Sequence, residues 1–307
     1  MNTLTNLLFA YLAYEGIKSC RKHGHDTVFT VAYFGYFLVG FGSFMFHTTL
    51  KCEPTGPPPL NLLTFGWVDP WQLVDELNMI YTTCLMAYAS ISYSRSPTTQ
   101  LWLGIFFTFL CVFITLYYHH LQDPTFHQNV YAALTLFIVV RSVYSMETTL
   151  RPRWRKTREQ DRILKEKRGL PVLTREQQEY ENQRDLDILK SMWKLVAFGV
   201  SVFLLGFGIW SLDNKYCSTL RTWRRSIGMP WGFFLEGHGW WHLMTGVGAY
   251  CYIIWGIWLR HILNGHRERY TLIWPKIYQI PEIVRMTDSP IGNGQVSAAN
   301  GSLKKSN

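Results

Sequence analysis

The chain has 307 residues, of which 48% are hydrophobic and 16% aromatic, and it carries a formal net charge of +9. Its mean hydropathy is near zero, but uncharged runs long enough to cross a bilayer alternate with charged blocks, which excludes an ordinary soluble domain. The basic charge does not indicate nucleic-acid binding, because nine lysines and arginines fall within residues 151–168, a block typical of a cytoplasmic loop.

Seven helical membrane spans are predicted in chain order, so the expected fold is all-α, a seven-transmembrane helix bundle. The fifth span opens with Asp123 followed by proline, a favourable helix start. The sixth follows a polar helix that opens at Thr174, with Gln177 placed for a capping box. The predicted spans cover approximately residues 4–17, 26–47, 72–92, 99–118, 123–146, 195–210 and 237–262.

The distribution of lysine and arginine predicts the orientation. The loops at 18–25, 93–98 and 147–190 and the segment after 260 carry most of the basic charge, so the C terminus is predicted to be cytosolic and the N terminus to lie on the other side. Four basic residues on the non-cytosolic side run against this asymmetry. These are Lys215, Arg221, Arg224 and Arg225.

The predicted organisation is a catalytic bundle at 1–265, whose basic loop at 147–190 is cytosolic, followed by a cytosolic tail at 266–307. The tail is rich in Ser, Asn and Gly and is predicted to be disordered from about residue 288. The protein is expected to be a multi-pass protein of the endoplasmic reticulum or Golgi membrane.

Five polar residues lie near the ends of three predicted spans. Ser43 and His47 close the second span, Asp75 begins the third, and His238 and His242 open the seventh. The alternating topology brings these span ends to one face of the membrane. Burying an ionisable group at membrane depth costs free energy, so such residues usually mark a functional site. The coincidence of five polar residues at one face therefore predicts a functional site.

The histidines indicate a metal site. His238 and His242 are four residues apart and therefore project from one helical face. Such a pair is a weak signal alone, but His47 lies at the matching depth of another span. Three histidines with a fourth position left open for water are the ligand set of a catalytic zinc ion.

Asp75 and Ser43 each allow two interpretations. Asp75 is either the general base that accepts a proton from water or an acid favoured at a helix N terminus by the helix dipole. Ser43, four residues before His47, either donates a hydrogen bond to a developing oxyanion or is a small residue that eases helix packing. Glu76 points about 100° away from Asp75 around a helix of 3.6 residues per turn and is interpreted as the dipole partner.

The other histidines are interpreted as structural. Those between the fourth and fifth spans are expected at the membrane interface, and those near the opposite face are assigned to basic loops. The first group is His119, His120 and His127, and the second is His23, His25, His261 and His266.

Three blocks of the sequence resemble the signature motifs of the alkaline ceramidases, a family of seven-span membrane amidases. They are Gly-Ser-Phe-Met-Phe-His-Thr-Thr-Leu-Lys at 42–51, Leu-Val-Asp-Glu-Leu-Asn-Met-Ile-Tyr at 73–81 and His-Gly-Trp-Trp-His at 238–242. The resemblance covers roughly residues 2 to 262. It implies hydrolysis of ceramide, phytoceramide or dihydroceramide to a sphingoid base and a fatty acid.

By the same resemblance, each of the five polar residues has an implied role. His47, His238 and His242 would bind zinc, Asp75 would activate the water, and Ser43 would help to stabilise the tetrahedral oxyanion. The implied partners are a ceramide-type lipid substrate and the surrounding membrane lipid, with no nucleic acid.

The sequence departs from the family pattern in two places. The acidic and aromatic segment that resembles a calcium site has no matching positions, so no calcium ligand is assigned, and Cys217, whose usual disulfide partner lies in that segment, is expected to be unpaired. About 19 additional residues, 52–70, follow Lys51. We expect these departures to reflect a misplaced start and a retained intron, which transcript sequencing would test.

Two other functions are compatible with these departures. One is an inactive, truncated homologue of the family. The other is a seven-span lipid-binding or receptor-like protein in which the metal has a structural role.

Overall fold

The computed structural model describes residues 2–49, 70–93, 95–121, 123–152, 167, 174–276 and 278–286. This part of the chain forms a bundle of α-helices with one β-hairpin, which confirms the predicted fold class. The predicted insertion at 52–70 lies outside the described residues except for Pro70, where a helix begins. The predicted disorder from residue 288 also lies outside them.

The helices differ widely in length, from four residues to 41. They are α1 (Asn2–Thr5), α2 (Leu7–His23), α3 (Thr27–Thr49), α4 (Pro70–Ser92), α5 (Pro97–Leu121), α6 (Pro124–Leu150), α7 (Arg175–Lys215), α8 (Cys217–Ile227) and α9 (Gly237–Leu263), with a 3-10 turn at Trp231–Leu235 and strands β1 (Tyr270–Ile273) and β2 (Glu282–Arg285).

Five of the described helices are long and apolar enough to cross a membrane, namely α3, α5, α6, α7 and α9. The 17-residue α2 is shorter, and α4 carries Asp75 and Glu76 in its second turn. The membrane helix bundle is therefore confirmed by length and composition. The count of seven spans stays a prediction.

Two helices begin where local chemistry predicts. The Asp123 side chain accepts a hydrogen bond from the Thr125 backbone N–H, and proline occupies the first turn of α6. Thr174 and Gln177 form the predicted capping box at the start of α7. The polar opening of α7 then continues without a break into the apolar run, since its backbone hydrogen bonds need no interruption where the composition changes.

Helix α9 is the central element of the packing. It lies against α7 over much of its length, while α3 packs on α2 and α4. Large side chains of α9, among them Trp255 and Ile254, are almost fully buried. This arrangement brings the C-terminal end of α3 to the N-terminal end of α9, which is where the polar side chains of the candidate site lie.

The opposite end of the bundle is covered by the hairpin, which was not predicted. Strands β1 and β2 pair antiparallel and pack against α2 and α9. The assignment of the nearby histidines to basic loops was wrong for His23, the last residue of α2, and for His261, which lies in α9, whereas His25 lies between α2 and α3 as predicted. All three are buried beneath the hairpin. The predicted tail is thus folded onto the bundle at least as far as residue 286.

Candidate metal centre and its surroundings

Three imidazole rings from two helices meet at one point. His47, in the last turn of α3, places Nε2 3.0 Å from Nε2 of His242 and 3.2 Å from Nε2 of His238. One ligand atom from each of the three rings lies within 4.8 Å of the other two, so the cluster could hold one metal ion. His242 is buried and the other two are partly buried. The sequence thus identified a cluster that the fold does assemble.

The four-residue spacing of His238 and His242 accounts for their shared orientation. Residues at i and i+4 of a helix lie one turn apart on the same face, and the ring centroids of the two histidines are 4.7 Å apart. Each ring also meets His47 at a steep angle, with centroids 4.9 Å apart in both cases. The cluster is therefore formed where one face of α9 meets the end of α3.

Ser43 lies directly beside the cluster, one turn before His47. Its Oγ is 3.5 Å from Nδ1 of His242 and accepts a hydrogen bond of 3.0 Å from the Asn6 side-chain amide. Nε2 of His242 faces the other imidazoles, so a metal ion bound there would leave the ring proton on Nδ1, where it could be donated to Ser43. The serine oxygen would then receive two donors, and its own O–H would be available to donate.

Asp75 is held next to Ser43 by the close packing of α3 and α4. Its carboxylate interacts with the Ser43 side chain. A Cβ atom at Gly42 would lie only 3.0 Å from the backbone N and Cα of Asp75, so any larger residue at position 42 would force the helices apart. The absence of a side chain at Gly42 allows the carboxylate to approach the serine.

Glu76 is directed away from the cluster, as its angular position predicted. Its carboxylate accepts hydrogen bonds from Gln72 and from the Tyr118 hydroxyl. Its backbone carbonyl accepts from the ring of His127 at 2.8 Å. His127 is therefore buried between helices, whereas His119 and His120 are exposed. The position of all three at the membrane interface stays a prediction.

The start of α9 is fixed by a buried acid on α7. Oδ2 of Asp213 accepts a 3.2 Å hydrogen bond from the backbone N–H of His238. Gly237 permits this contact, because a Cβ atom there would lie 2.7 Å from the Asp213 side chain. Arg224 lies 4.0 Å from Asp213 and pairs with Glu236 at 2.9 Å. Asp213 thereby sets the position of the first histidine of α9.

Sequence reasoning missed Asn6 and Asp213. Asn6 is an uncharged polar residue inside the first predicted span and is almost fully buried, a position that could have drawn attention to it. Asp213 follows the sixth predicted span at the face where the site lies. Both act on site residues through contacts between distant segments, which no local pattern reveals.

Two further features lie apart from the cluster. A cavity of about 540 Å³ is lined by Arg184, Arg267 and the last residues of α9, at the end of α9 opposite His238 and His242. Its position indicates no part in chemistry at the histidines. Cys217, expected to be unpaired, is exposed and free within the described residues.

Comparison with known proteins agrees with the three motifs. A family model described as Ceramidase matches residues 1–284. The chain is 27% identical over 285 residues to alkaline ceramidase 3 of Mus musculus, an alignment that covers 92% of this chain and 86% of the relative. It is also 27% identical over 297 residues to alkaline ceramidase YPC1 of Saccharomyces cerevisiae, covering 92% of this chain and 78% of the relative.

Proposed function

The chain belongs to the ceramidase family, and from this premise we propose that it is a zinc-dependent amidase that hydrolyses a ceramide, phytoceramide or dihydroceramide. The products would be a sphingoid base and a fatty acid. The observation that supports this most directly is the meeting of the His47, His238 and His242 nitrogens beside Ser43 and Asp75.

The donor chemistry of the cluster fits zinc. Zinc accepts imidazole nitrogens at 2.0–2.1 Å in a tetrahedron, which separates neighbouring ligand atoms by about 3.3 Å. The observed separations of 3.0 Å and 3.2 Å from His47 are close to that value. Three protein ligands also leave one tetrahedral position for water or substrate. Zinc bound there would lower the pKa of water and polarise the substrate carbonyl.

We assign general base and general acid catalysis to Asp75. A carboxylate beside the reacting water would accept its proton as the water attacks the amide carbon, and would then return the proton to the amine as the C–N bond breaks. The close packing of the two helices at Gly42 and the interaction of the Asp75 carboxylate with Ser43 support this role, because they keep the carboxylate beside the histidine cluster.

Ser43 is assigned to the oxyanion. We assign its oxygen as acceptor from the Asn6 amide and from the imidazole of His242, so that its hydroxyl proton is available to the tetrahedral intermediate. Ser43 also interacts with Asp75, and on substrate binding its hydroxyl would donate to the developing oxyanion instead. A serine nucleophile is disfavoured, because the histidine beside it is assigned to the metal.

A membrane lipid amide suits the location of the site. The polar cluster lies at one end of apolar helices. In a bilayer this end would be near the lipid headgroups, where a ceramide carbonyl would sit, while the acyl and sphingoid chains would remain among apolar side chains. We assign this end to the non-cytosolic face of an endoplasmic reticulum or Golgi membrane, on the strength of the lysine and arginine distribution.

The decisive experiment is a ceramide hydrolysis assay on purified protein at alkaline pH, with metal analysis of the same sample. We expect release of sphingoid base, loss of release with a chelator, and recovery on addition of zinc. His238→Ala should be inactive and His120→Ala, in the exposed end of α5, should retain activity. Stoichiometric zinc without any hydrolysis would favour a structural metal, and wild-type turnover by His238→Ala would refute the proposal.

A further inference from the structure

Helix α8 is amphipathic and has no buried residue. Leu220, Trp223 and Ile227 follow one another at three- and four-residue intervals and form an apolar stripe. Trp223 and Ile227 are 53% and 51% exposed. With 11 residues, α8 is roughly 16 Å long and too short to span a membrane. An exposed apolar stripe on so short a helix is typical of a helix that lies in the plane of the membrane surface.

The 3-10 turn that follows α8 extends the apolar surface. It packs against α8 and exposes Trp231 and Phe234 by 66% and 58%. The two rings are stacked with centroids 6.2 Å apart, and Phe234 also lies against Trp240 of α9. Tryptophan and aromatic side chains in such clusters prefer the boundary between headgroups and acyl chains.

Basic side chains lie on the polar face of the same helix, turned away from the stripe. Arg221 and Arg225 are one turn apart, and Lys215 ends α7 just before α8; all three are exposed. Within the part of the chain that the structure describes, no acidic side chain forms an ion pair with Arg221 or Arg225, in contrast to Arg224, which pairs with Glu236. These three residues, with Arg224, are the four that run against the lysine and arginine asymmetry, so orientation alone does not account for them.

We propose that α8 and the 3-10 turn form an interfacial element, residues 215–235, that docks on a bilayer surface containing anionic phospholipid. The apolar stripe would enter the boundary of headgroups and acyl chains, and Lys215, Arg221 and Arg225 would bind lipid phosphates. Arg224 lies between the apolar stripe and Arg221 around the helix and connects the element to Glu236 and Asp213, next to His238. The element therefore borders the metal centre and defines the membrane surface that the centre faces.

The test uses purified full-length protein in lipid nanodiscs with a fluorescent probe at one introduced cysteine. Ile227→Cys reports on the apolar stripe, and Ser226→Cys, about 100° around the helix, is its matched control. Both are made in a background with Cys52, Cys111 and Cys217 replaced by serine. Quenching by lipids with a spin label near the headgroup is compared with quenching by aqueous iodide, as the fraction of phosphatidylglycerol is raised from zero.

We expect the probe at 227 to be quenched by spin-labelled lipid and shielded from iodide, and the probe at 226 to show the reverse. Arg221→Gln with Arg225→Gln should weaken the dependence on phosphatidylglycerol roughly tenfold. The double variant Lys190→Gln and Lys194→Gln, which removes equal exposed charge from the other half of α7, should not change it.

Two results would overturn the proposal. One is equal access of iodide to positions 226 and 227 at every lipid composition. The other is shielding of the probe at position 227 from iodide that does not depend on phosphatidylglycerol and is seen only in nanodiscs holding two copies of the protein. That result would show that the apolar stripe contacts a second protein molecule. The readout is independent of hydrolysis, so failure here leaves the proposed amidase activity unaffected, and loss of that activity would not explain the quenching pattern.

Discussion

Each end of the bundle holds a cluster of histidines, but the two clusters are arranged differently. At one end the nitrogens of His47, His238 and His242 face one another. At the other, Nδ1 of His25 lies 2.8 Å from Nε2 of His261, and Nε2 of His25 is 3.1 Å from the Ile283 carbonyl oxygen. His23 accepts from the Arg285 backbone N–H and faces Glu282.

The difference shows that the number of histidines does not define a metal site. Beneath the hairpin, His23 and His25 contact backbone atoms and a carboxylate of β2, while His261 contacts His25 and stacks on Tyr270 of β1. These contacts hold the two strands against the bundle. The rings at the other end converge on a common point, which the protein itself does not fill with another donor group in the described residues. Convergence of lone pairs, more than composition, separates a metal centre from a structural cluster.

The largest expected effect is the difference in zinc content and activity between two single variants, one in each histidine cluster. His242→Ala should lose bound zinc and reduce ceramide hydrolysis by well over the 100-fold typical of residues that only contact a ligand. His261→Ala should retain zinc and most activity while exposing the hairpin. Metal analysis, hydrolysis rates and hydrogen exchange of residues 270–285 measure the three quantities. Equal loss of zinc in His242→Ala and His261→Ala would contradict the assignment of one cluster to metal binding and the other to structure.

Replacing the carboxylate next to Ser43 should separate catalysis from metal binding. Asp75→Asn keeps the size of the side chain but cannot accept a proton, so hydrolysis should fall by about 100- to 10,000-fold. Zinc content should be unchanged, since no imidazole is removed. Glu76→Gln is the matched control, because Glu76 faces Tyr118 and Gln72. If Asp75→Asn turned over ceramide at the wild-type rate, Asp75 would be a helix-end acid only.

A smaller effect is expected at Asp213, which acts through the backbone of His238. Asp213→Ala removes the acceptor for that N–H and leaves Arg224 without one of its acidic partners. We expect zinc affinity to fall by about 10- to 100-fold, as for other residues that orient a ligand. Asp213→Asn, which keeps an oxygen acceptor, should recover part of the affinity. Competition with a fluorescent zinc chelator measures both, and identical affinities in wild type and Asp213→Ala would exclude the orienting role.

The smallest expected effect is a weaker docking of the β-hairpin on the bundle at acidic pH. Burial lowers the pKa of His25 to about 4, although nearby Glu282 and Asp26 act in the opposite direction. His25 is therefore neutral when the hairpin is docked and takes up a proton near its ordinary pKa of about 6.5 when it is free. Docking should be strongest above pH 6.5 and weaken as the pH falls towards 4.

This pH dependence can be measured by hydrogen exchange of the hairpin, corrected for intrinsic rates, at pH 8 and pH 5. The charged and titratable groups that face His25 are His23, Asp26, His261 and Glu282. His25→Asn does not titrate in this range, so its hairpin protection should change less between the two pH values. A wild-type hairpin equally protected at both would contradict the assignment.

Much of the fold could be predicted because its signals are local. The capping box at Thr174 and the Asp123-Pro124 start depend on neighbouring residues, and long apolar runs report burial in lipid. The histidine cluster could also be predicted, because a four-residue spacing fixes a helical face and the alternation of spans determines which helix ends lie at the same side of the membrane. The roles of Ser43 and Asp75 stay predictions, although the fold brings both to the cluster.

The remainder depends on contacts between distant segments. The hairpin was missed because β1 and β2 are four residues each and gain their stability by packing on α2 and α9. The burial of His25 and His261 follows from that packing. Asn6 and Asp213 were missed for a related reason, as each reaches a site residue in a different helix.

The separation of His47 from His238 by 191 positions has a consequence for how the protein is made. At typical translation rates of about 5–20 residues per second, the ribosome would need roughly 10–40 s after completing the first imidazole before it supplies the others. Under the proposed zinc assignment, the nascent chain holds only one of the three imidazoles throughout that interval. Metal binding would then follow the completion of α9, and a newly synthesised molecule would be inactive until the ion binds.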